Sequence, residues 1–239
     1  MSQANRVLIA AIRKALRAEA DPTRAAGAQA YMKSAMPFLG VPVPRVRAIT
    51  RSLCKVHVLA DFEVFCETVR VLFMSAKYRE ERYAALGIAG APAYRRMQTA
   101  AVLPLYRTLI VEGAWWDLVD ELSVCVGEVL AREPRPTSKT LRAWAHDDNM
   151  WLRRTAIICQ RKRKQDTDMQ LLVDCIQPSL GENEFFLRKA IGWALRSVAW
   201  HDPNWTLRYV KQHAAELSPL SKREALKNLL RDGRIQQIP

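Results

Sequence analysis

Helical spacing runs almost unbroken through this chain. From residue 4 to residue 231 apolar positions recur every three or four residues, the period of a helix that buries one face, and no segment shows the alternation of a half-buried strand. Nine glycines and twelve prolines among 239 residues leave few places for that pattern to break. Helices are expected at about 4–19, 23–36, 44–57, 61–76, 79–89, 92–111, 114–132, 137–145, 149–162, 167–178, 184–200, 203–214 and 221–231. SKRE at 221–224 reads as a capping box, the Ser221 hydroxyl and the Glu224 carboxylate each satisfying a free amide at the helix start.

Three of these helices can be laid over one another: EERYAALGIA (80–89), LRRTAIICQ (152–160) and LRKAIGWAL (187–195). In each, a basic residue (Arg82, Arg153, Arg188) is followed two and three places on by small or aliphatic residues. The offsets are 71 and 35 residues, so a unit of about 35 places another copy near 117. Helical pairs of that size cannot bury an apolar face alone and stack on their neighbours. The expected architecture is all-α: HEAT-like helical repeats stacked as a curved α-solenoid with a concave basic face, in one domain over 1–239.

Thirty-seven Lys and Arg against twenty-four Asp and Glu give a formal charge of +13. A surplus of that size attracts phosphates or anionic lipid. With 49% hydrophobic residues the chain has ample material for a core, which excludes disorder. Its five cysteines stand singly, without a CxxC pair or a nearby histidine, so no metal site is signalled and no cofactor is expected. An odd, unpatterned cysteine count fits a reducing cytosol. The N-terminus, with Arg6, Arg13, Lys14 and Arg17 among apolar residues, reads as an amphipathic helix and not a signal peptide. No apolar run reaches the roughly 18 residues of a membrane span. A cytoplasmic monomer with no membrane partner is expected. His57, His146, His201 and His213 lie in no pattern that calls for catalysis.

One segment runs against the charge. Residues 114–130, opening with AWWDLVDELS, hold four acidic residues and no basic one. On a helix from Ala114, Trp115, Leu118, Val119 and Leu122 form the apolar stripe that faces a core. Trp116 and Asp120, four apart, share a different flank, continued by Ser123 and Gly127. A carboxylate there costs affinity for a polyanion unless chemistry wants it; the plainer alternative is a salt bridge to a neighbouring helix. Asp117 and Glu121 point away from that flank and read as structural. On 184–200, Lys189, Trp193, Arg196 and Trp200 line the side opposite Leu187, Ala190, Ile191, Ala194 and Val198. Cations interleaved with indoles suit a phosphate backbone whose sugars or bases lie over aromatic faces. Residues 141–165 add seven basic residues against two acidic ones, ending in RKRK at 161–164.

These blocks resemble the AlkD-type bacterial alkylpurine DNA glycosylases. YMKSAMPFLGVPVPRVR (31–47), AWWDLVDELS, DDNMWLRRTAI (147–157), EFFLRKAIGWALR (184–196) and LSPLSKREALKNL (217–229) follow in the family's order, from about residue 23 to 230. The resemblance implies that Asp120, Trp116, Trp193 and Arg154 are the active-site residues, with Asp120 stabilising positive charge on the deoxyribose and positioning water, the two indoles flanking the sugar, and Arg154 gripping an adjacent phosphate. It adds Tyr31 near the site. Lys189 and Arg196 beside Trp193, with Arg153, Arg188 and Arg161 on the same basic helices, are expected at DNA. The implied partner is duplex DNA carrying N7- or N3-alkylated purines, excised without base flipping. The RKRK run is more basic than the resemblance predicts. Two alternatives from other classes are a helical scaffold without chemistry and a single-stranded RNA binder.

Overall fold

The computed structural model describes residues 3–238, and the regular elements within them are helices alone. The chain divides into two compact units, Met1–Glu112 and Gly113–Pro239. Among the described residues no helix is long and apolar enough to cross a membrane.

The first unit holds α1 (Arg6–Ala18), α2 (Pro22–Met32), α3 (Val43–Val56), α4 (Phe62–Met74), α5 (Arg79–Ala89) and all but the last residue of α6 (Leu103–Gly113). α5 packs on α1, α3 and α4. Its Ala84, Ala85 and Ile88 are fully buried, and so are Leu8, Ile12 and Leu16 of α1 and Phe65, Val69 and Leu72 of α4. Two buried carboxylates open α5. Glu80 accepts backbone N–H bonds from Leu39, Gly40 and Val41 at 2.9, 2.8 and 3.2 Å. Glu81 accepts from Arg13 Nε at 3.0 Å. Gly40 sits at φ +87°, where a side chain would also strike the Asp21 carbonyl at 2.1 Å, so this loop requires glycine.

The second unit holds α7 (Trp116–Arg132), α8 (Pro134–Ala145), α9 (Met150–Ile158), α10 (Met169–Ile176), α11 (Phe185–Ala199), α12 (Pro203–Gln212) and α13 (Pro219–Arg231). Helices stack in succession here as in a solenoid: α9 lies against α7, α8, α10 and α11, and α11 against α9, α12 and α13. The three repeated segments are therefore α5, α9 and α11, each surrounded by several others. The positions two and three after the repeated basic residue are all buried: Ala84 and Ala85, Thr155 and Ala156, Ala190 and Ile191. The repeat records the demand for small residues where helices meet on several sides.

The periodicity misplaces some boundaries. The expected helix 92–111 is broken into 3₁₀ turns at Pro92–Met97 and Ala100–Val102, followed by α6. Pro104 explains the break, since proline is tolerated in the first turn of a helix and not in its interior. α2 stops at Met32, four residues short, where Lys33 takes a left-handed conformation. α9 stops at Ile158 instead of 162. The capping box is also corrected. Ser218, not Ser221, is the N-cap of α13, accepting from the Ser221 N–H at 3.0 Å, because Pro219 fits the first helical turn and extends the helix upstream. Ser221 Oγ instead donates to the Arg188 carbonyl at 3.0 Å, and Glu224 turns to α11.

Two glycines set helix spacing. A Cβ on Gly127 of α7 would lie 2.3 Å from the Cys159 carbonyl oxygen; one on Gly192 of α11 would lie 2.5 Å from Glu224 Cβ and 2.8 Å from the Ser221 carbonyl. Gly192→Ala is expected to destabilise the protein. The gain of up to about 1 kcal/mol in helix propensity is outweighed by roughly 1–3 kcal/mol of overpacking against backbone that cannot rotate away. A lower urea midpoint is the expected reading; an unchanged midpoint would mean that α13 shifts at no cost.

Candidate active site

α7 begins with a strained turn. Ala114 holds φ +37°, a conformation that favours glycine and costs a residue with a Cβ about 1 kcal/mol or more. Trp115 is then extended at the N-cap and not, as the sequence predicts, within the helix. Its ring joins those of Phe186 and Trp151 at centroid distances of 5.6 and 6.2 Å, a small aromatic core at the junction of α7, α9 and α11. Trp116 is the first residue of α7 and half-buried. One turn on, along the same face, stands Asp120.

Asp120 meets Arg154 of α9 in a two-pronged ion pair: Nε donates to Oδ1 at 2.8 Å and Nη2 to Oδ2 at 2.9 Å. The third nitrogen, Nη1, donates to the Phe186 carbonyl at 2.7 Å. The Phe186 ring lies 5.9 Å from the guanidinium carbon. Arg154 is buried with its side chain 5% exposed, whereas the Asp120 side chain keeps 15%. An ionised carboxylate offers about four acceptor positions, and the fork occupies two, so the accessible edge of Asp120 can still accept from water. The resemblance implies a phosphate for Arg154; in the structure its guanidinium lies beneath the carboxylate and also reaches the Phe186 carbonyl.

Arg161 reaches the same place from the turn that follows α9. Nη2 donates to the Asp120 carbonyl at 2.7 Å, Nη1 donates to Ser123 Oγ, and the guanidinium carbon lies 4.8 Å from the centre of the Trp193 ring. Burial lowers the Arg161 pKa from its ordinary value, although Asp120 and Glu121 oppose that shift. The Ser123–Gly127 line, which continues the Trp116–Asp120 flank, is buried against the segment that follows α9, at Cys159 and Arg161. Asp120, Arg154, Arg161 and Trp193 are thus joined by direct contacts, with Trp116 beside them on α7.

The remaining candidates in this unit are also engaged. Lys189 and Arg196 both bind Glu224, at 3.0 and 2.5 Å. Burial raises the Glu224 pKa, but the hydrogen bonds from Arg196 and Lys189 outweigh it and leave the carboxyl below its usual range. Arg153 pairs with Glu182 at 2.6 Å. Arg188 donates to the Glu182 carbonyl at 2.8 Å and to the Asn183 side chain. Trp200 is 59% exposed. Tyr31, in the first unit, stands 76% exposed at the last turn of α2. His213, which the sequence gives no catalytic role, lies 2.6 Å from the Glu216 carboxylate. Phe186 is a site residue that sequence reasoning missed, whereas Ser123 was placed on the Trp116–Asp120 flank without its arginine partner. The only hint was Phe186 within the FF pair that opens α11. Burial pushes the thiols of Cys125 and Cys159 up to about 12, so neither supplies a thiolate at neutral pH.

The fold and these contacts define an all-α, solenoid-like protein with a carboxylate–arginine–indole site where α7, α9 and α11 meet. The chain belongs to the DNA alkylation repair enzyme family, whose model matches residues 12–229. It is similar to a solved structure described as a predicted DNA alkylation repair enzyme from Enterococcus faecalis, with 30% identity and a TM-score of 0.79 over 88% of this chain and 96% of that one. No curated protein matches it. A role in repairing alkylation damage to DNA, as an enzyme, follows from the family.

Proposed function

We propose that the protein is an alkylpurine DNA glycosylase of the AlkD type, built of HEAT-like repeats, that hydrolyses the N-glycosidic bond of cationic N7- or N3-alkylated purines in duplex DNA. The observation that carries this reading is the Asp120 carboxylate, locked in orientation by buried Arg154 yet keeping an accessible edge beside Trp116 and Trp193.

Alkylation at N7 or N3 gives the purine a positive charge, so the bond from the sugar to N9 breaks with its electron pair moving to the base, which leaves neutral. The positive charge passes to the deoxyribose as an oxocarbenium-like state, as in glycoside hydrolysis. A fixed carboxylate stabilises that charge without reorganising, which is where preorganised electrostatics contribute most. The free acceptor edge of Asp120 orients a water toward the anomeric carbon; the new C–O bond forms as the water's proton passes to the carboxylate and on to solvent. Indole faces at Trp116 and Trp193 add cation–π stabilisation. Arg161 lies over the Trp193 ring and fixes it beside Asp120. In this reading Arg154 is a positioning residue for Asp120 and not a phosphate grip.

Since the base leaves by its own lability, it can stay stacked, and neutral lesions should be poor substrates. Purified protein is expected to generate abasic sites in a duplex carrying one N7-methylguanine and none above background in duplexes carrying hypoxanthine or uracil. Absence of abasic sites from methylguanine, or equal release of the neutral bases, overturns the proposal. The first outcome favours a scaffold in which Asp120–Arg154 is only a brace.

A further inference from the structure

We infer that the turn at 161–167 and the groove beside it form an accessory site for the phosphate backbone of duplex DNA, next to the carboxylate site; only the identity of the partner as duplex DNA rests on the repair reading. The groove encloses about 480 Å³ and is lined by Gly127 and Glu128 of α7, by Cys159, and by Lys162, Arg163 and Lys164. Gly127 helps to shape it, since the missing Cβ brings α7 onto the Cys159 carbonyl.

Charge is the first argument. Arg153, Lys189 and Arg196 are each tied to a carboxylate within the protein. Lys162 and Lys164 are exposed and form no ion pair among the described residues. Glu128 and Asp166 border the same groove, so the four cations of the run prevail over two carboxylates there. The lysines are the free positive charges closest in sequence to Arg161, which contacts the site directly.

Preorganisation is the second. Gln160 is buried and clamps the exit of the turn with both ends of its amide: Nε2 donates to the Asp168 carbonyl at 3.0 Å and Oε1 accepts from the Asp168 N–H at 2.9 Å. Thr167 Oγ1 donates to the Lys164 carbonyl at 2.7 Å, and Arg163 Nε to the Asp166 carbonyl at 3.1 Å. Lys164 is held at φ +55°, a strained conformation that these bonds maintain. A turn already fixed in shape loses little entropy on binding.

Register is the third. From Asp120 to Gly127–Glu128 is seven to eight residues of α7, about 11 Å at 1.5 Å per residue. That equals about three rises of 3.4 Å along a duplex axis. A duplex whose axis runs along α7 with its lesion sugar at Asp120 brings phosphates some three nucleotides away to Lys162 and Lys164. Arg161 anchors the turn to the site through Asp120 and Ser123.

The test is binding of the full-length protein to an unmodified duplex of about 20 base pairs, by fluorescence anisotropy between roughly 50 and 200 mM salt. K162Q/K164Q is expected to weaken binding about tenfold or more near 0.1 M salt and to reduce the slope of log K against log salt by about two, one for each lysine that no longer meets a phosphate. R135Q/K139Q removes the same charge from exposed positions on α8 and should keep the wild-type slope. A wild-type slope in K162Q/K164Q overturns the inference, and so does an equal drop in both double variants. A loss confined to single-stranded RNA at matched salt would reassign the partner and overturn it as well. Undamaged duplex is the probe, so turnover does not enter. Protein that releases no base yet shows the slope change removes the glycosylase reading and keeps this one.

Discussion

Asp120→Asn is expected to slow base release from a methylguanine duplex by about 10²–10³-fold at saturating protein, the scale of removing one preorganised electrostatic group that faces a developing charge. Asparagine matches the shape of the carboxylate but carries no charge, and its amide NH₂ faces an Arg154 donor at a position where Asp120 accepts at 2.8 or 2.9 Å. The variant therefore loses stability as well as catalysis, and the two must be read separately. A urea titration gives the stability change. Affinity for the methylguanine duplex separates the chemistry, because removing a negative charge beside a polyanion should leave binding unchanged or tighter while the rate falls. Retention of the wild-type rate by folded, saturated Asp120→Asn would sink the assignment of Asp120 to the chemistry and leave the pair as a structural brace.

The helical class and the face carrying Trp116 and Asp120 were legible because both follow from the 3.6-residue period, a local property. α5 falls at 79–89, as the spacing predicts. The partners were not legible, because the period tells which residues share a face and not what that face meets. The signal that could have found them lay in the repeat. Asp120 and Arg154 are 34 residues apart, Lys189 and Glu224 are 35 apart, and Arg188 and Ser221 are 33 apart. These are close to one repeat unit of about 35. In stacked repeats, equivalent positions of neighbouring units lie side by side, so adding one unit to an isolated charge points near its partner. Applied to Asp120 this reaches 155, one residue beyond Arg154; applied to Lys189 it lands on Glu224. The strained turn at Ala114 was not legible by any such rule, since alanine carries no signal for positive φ.

Arg154 gives the second large effect. Arg154→Met leaves Asp120 without either bond of its fork and the Phe186 carbonyl without its donor. Removing one member of a buried ion pair costs about 3–5 kcal/mol, because the charge left behind has been taken from water without compensation. At 15% exposure the Asp120 side chain recovers part of that through hydration, so the lower end of the range is expected. Base release should fall too, since a carboxylate no longer held by two bonds must be ordered during the reaction. Arg154→Lys separates charge from geometry: an ammonium restores the positive charge but cannot fork to both carboxylate oxygens while reaching Phe186. It should regain more stability than activity. The double variant Asp120→Leu/Arg154→Met should be more stable than either single variant, since no buried charge is left unpaired, while releasing no base. Folding without catalysis in that double variant would separate what the pair does for the fold from what it does for the sugar. Release of methylguanine by the double variant at anything near the wild-type rate would move the chemistry away from the Asp120–Arg154 pair altogether.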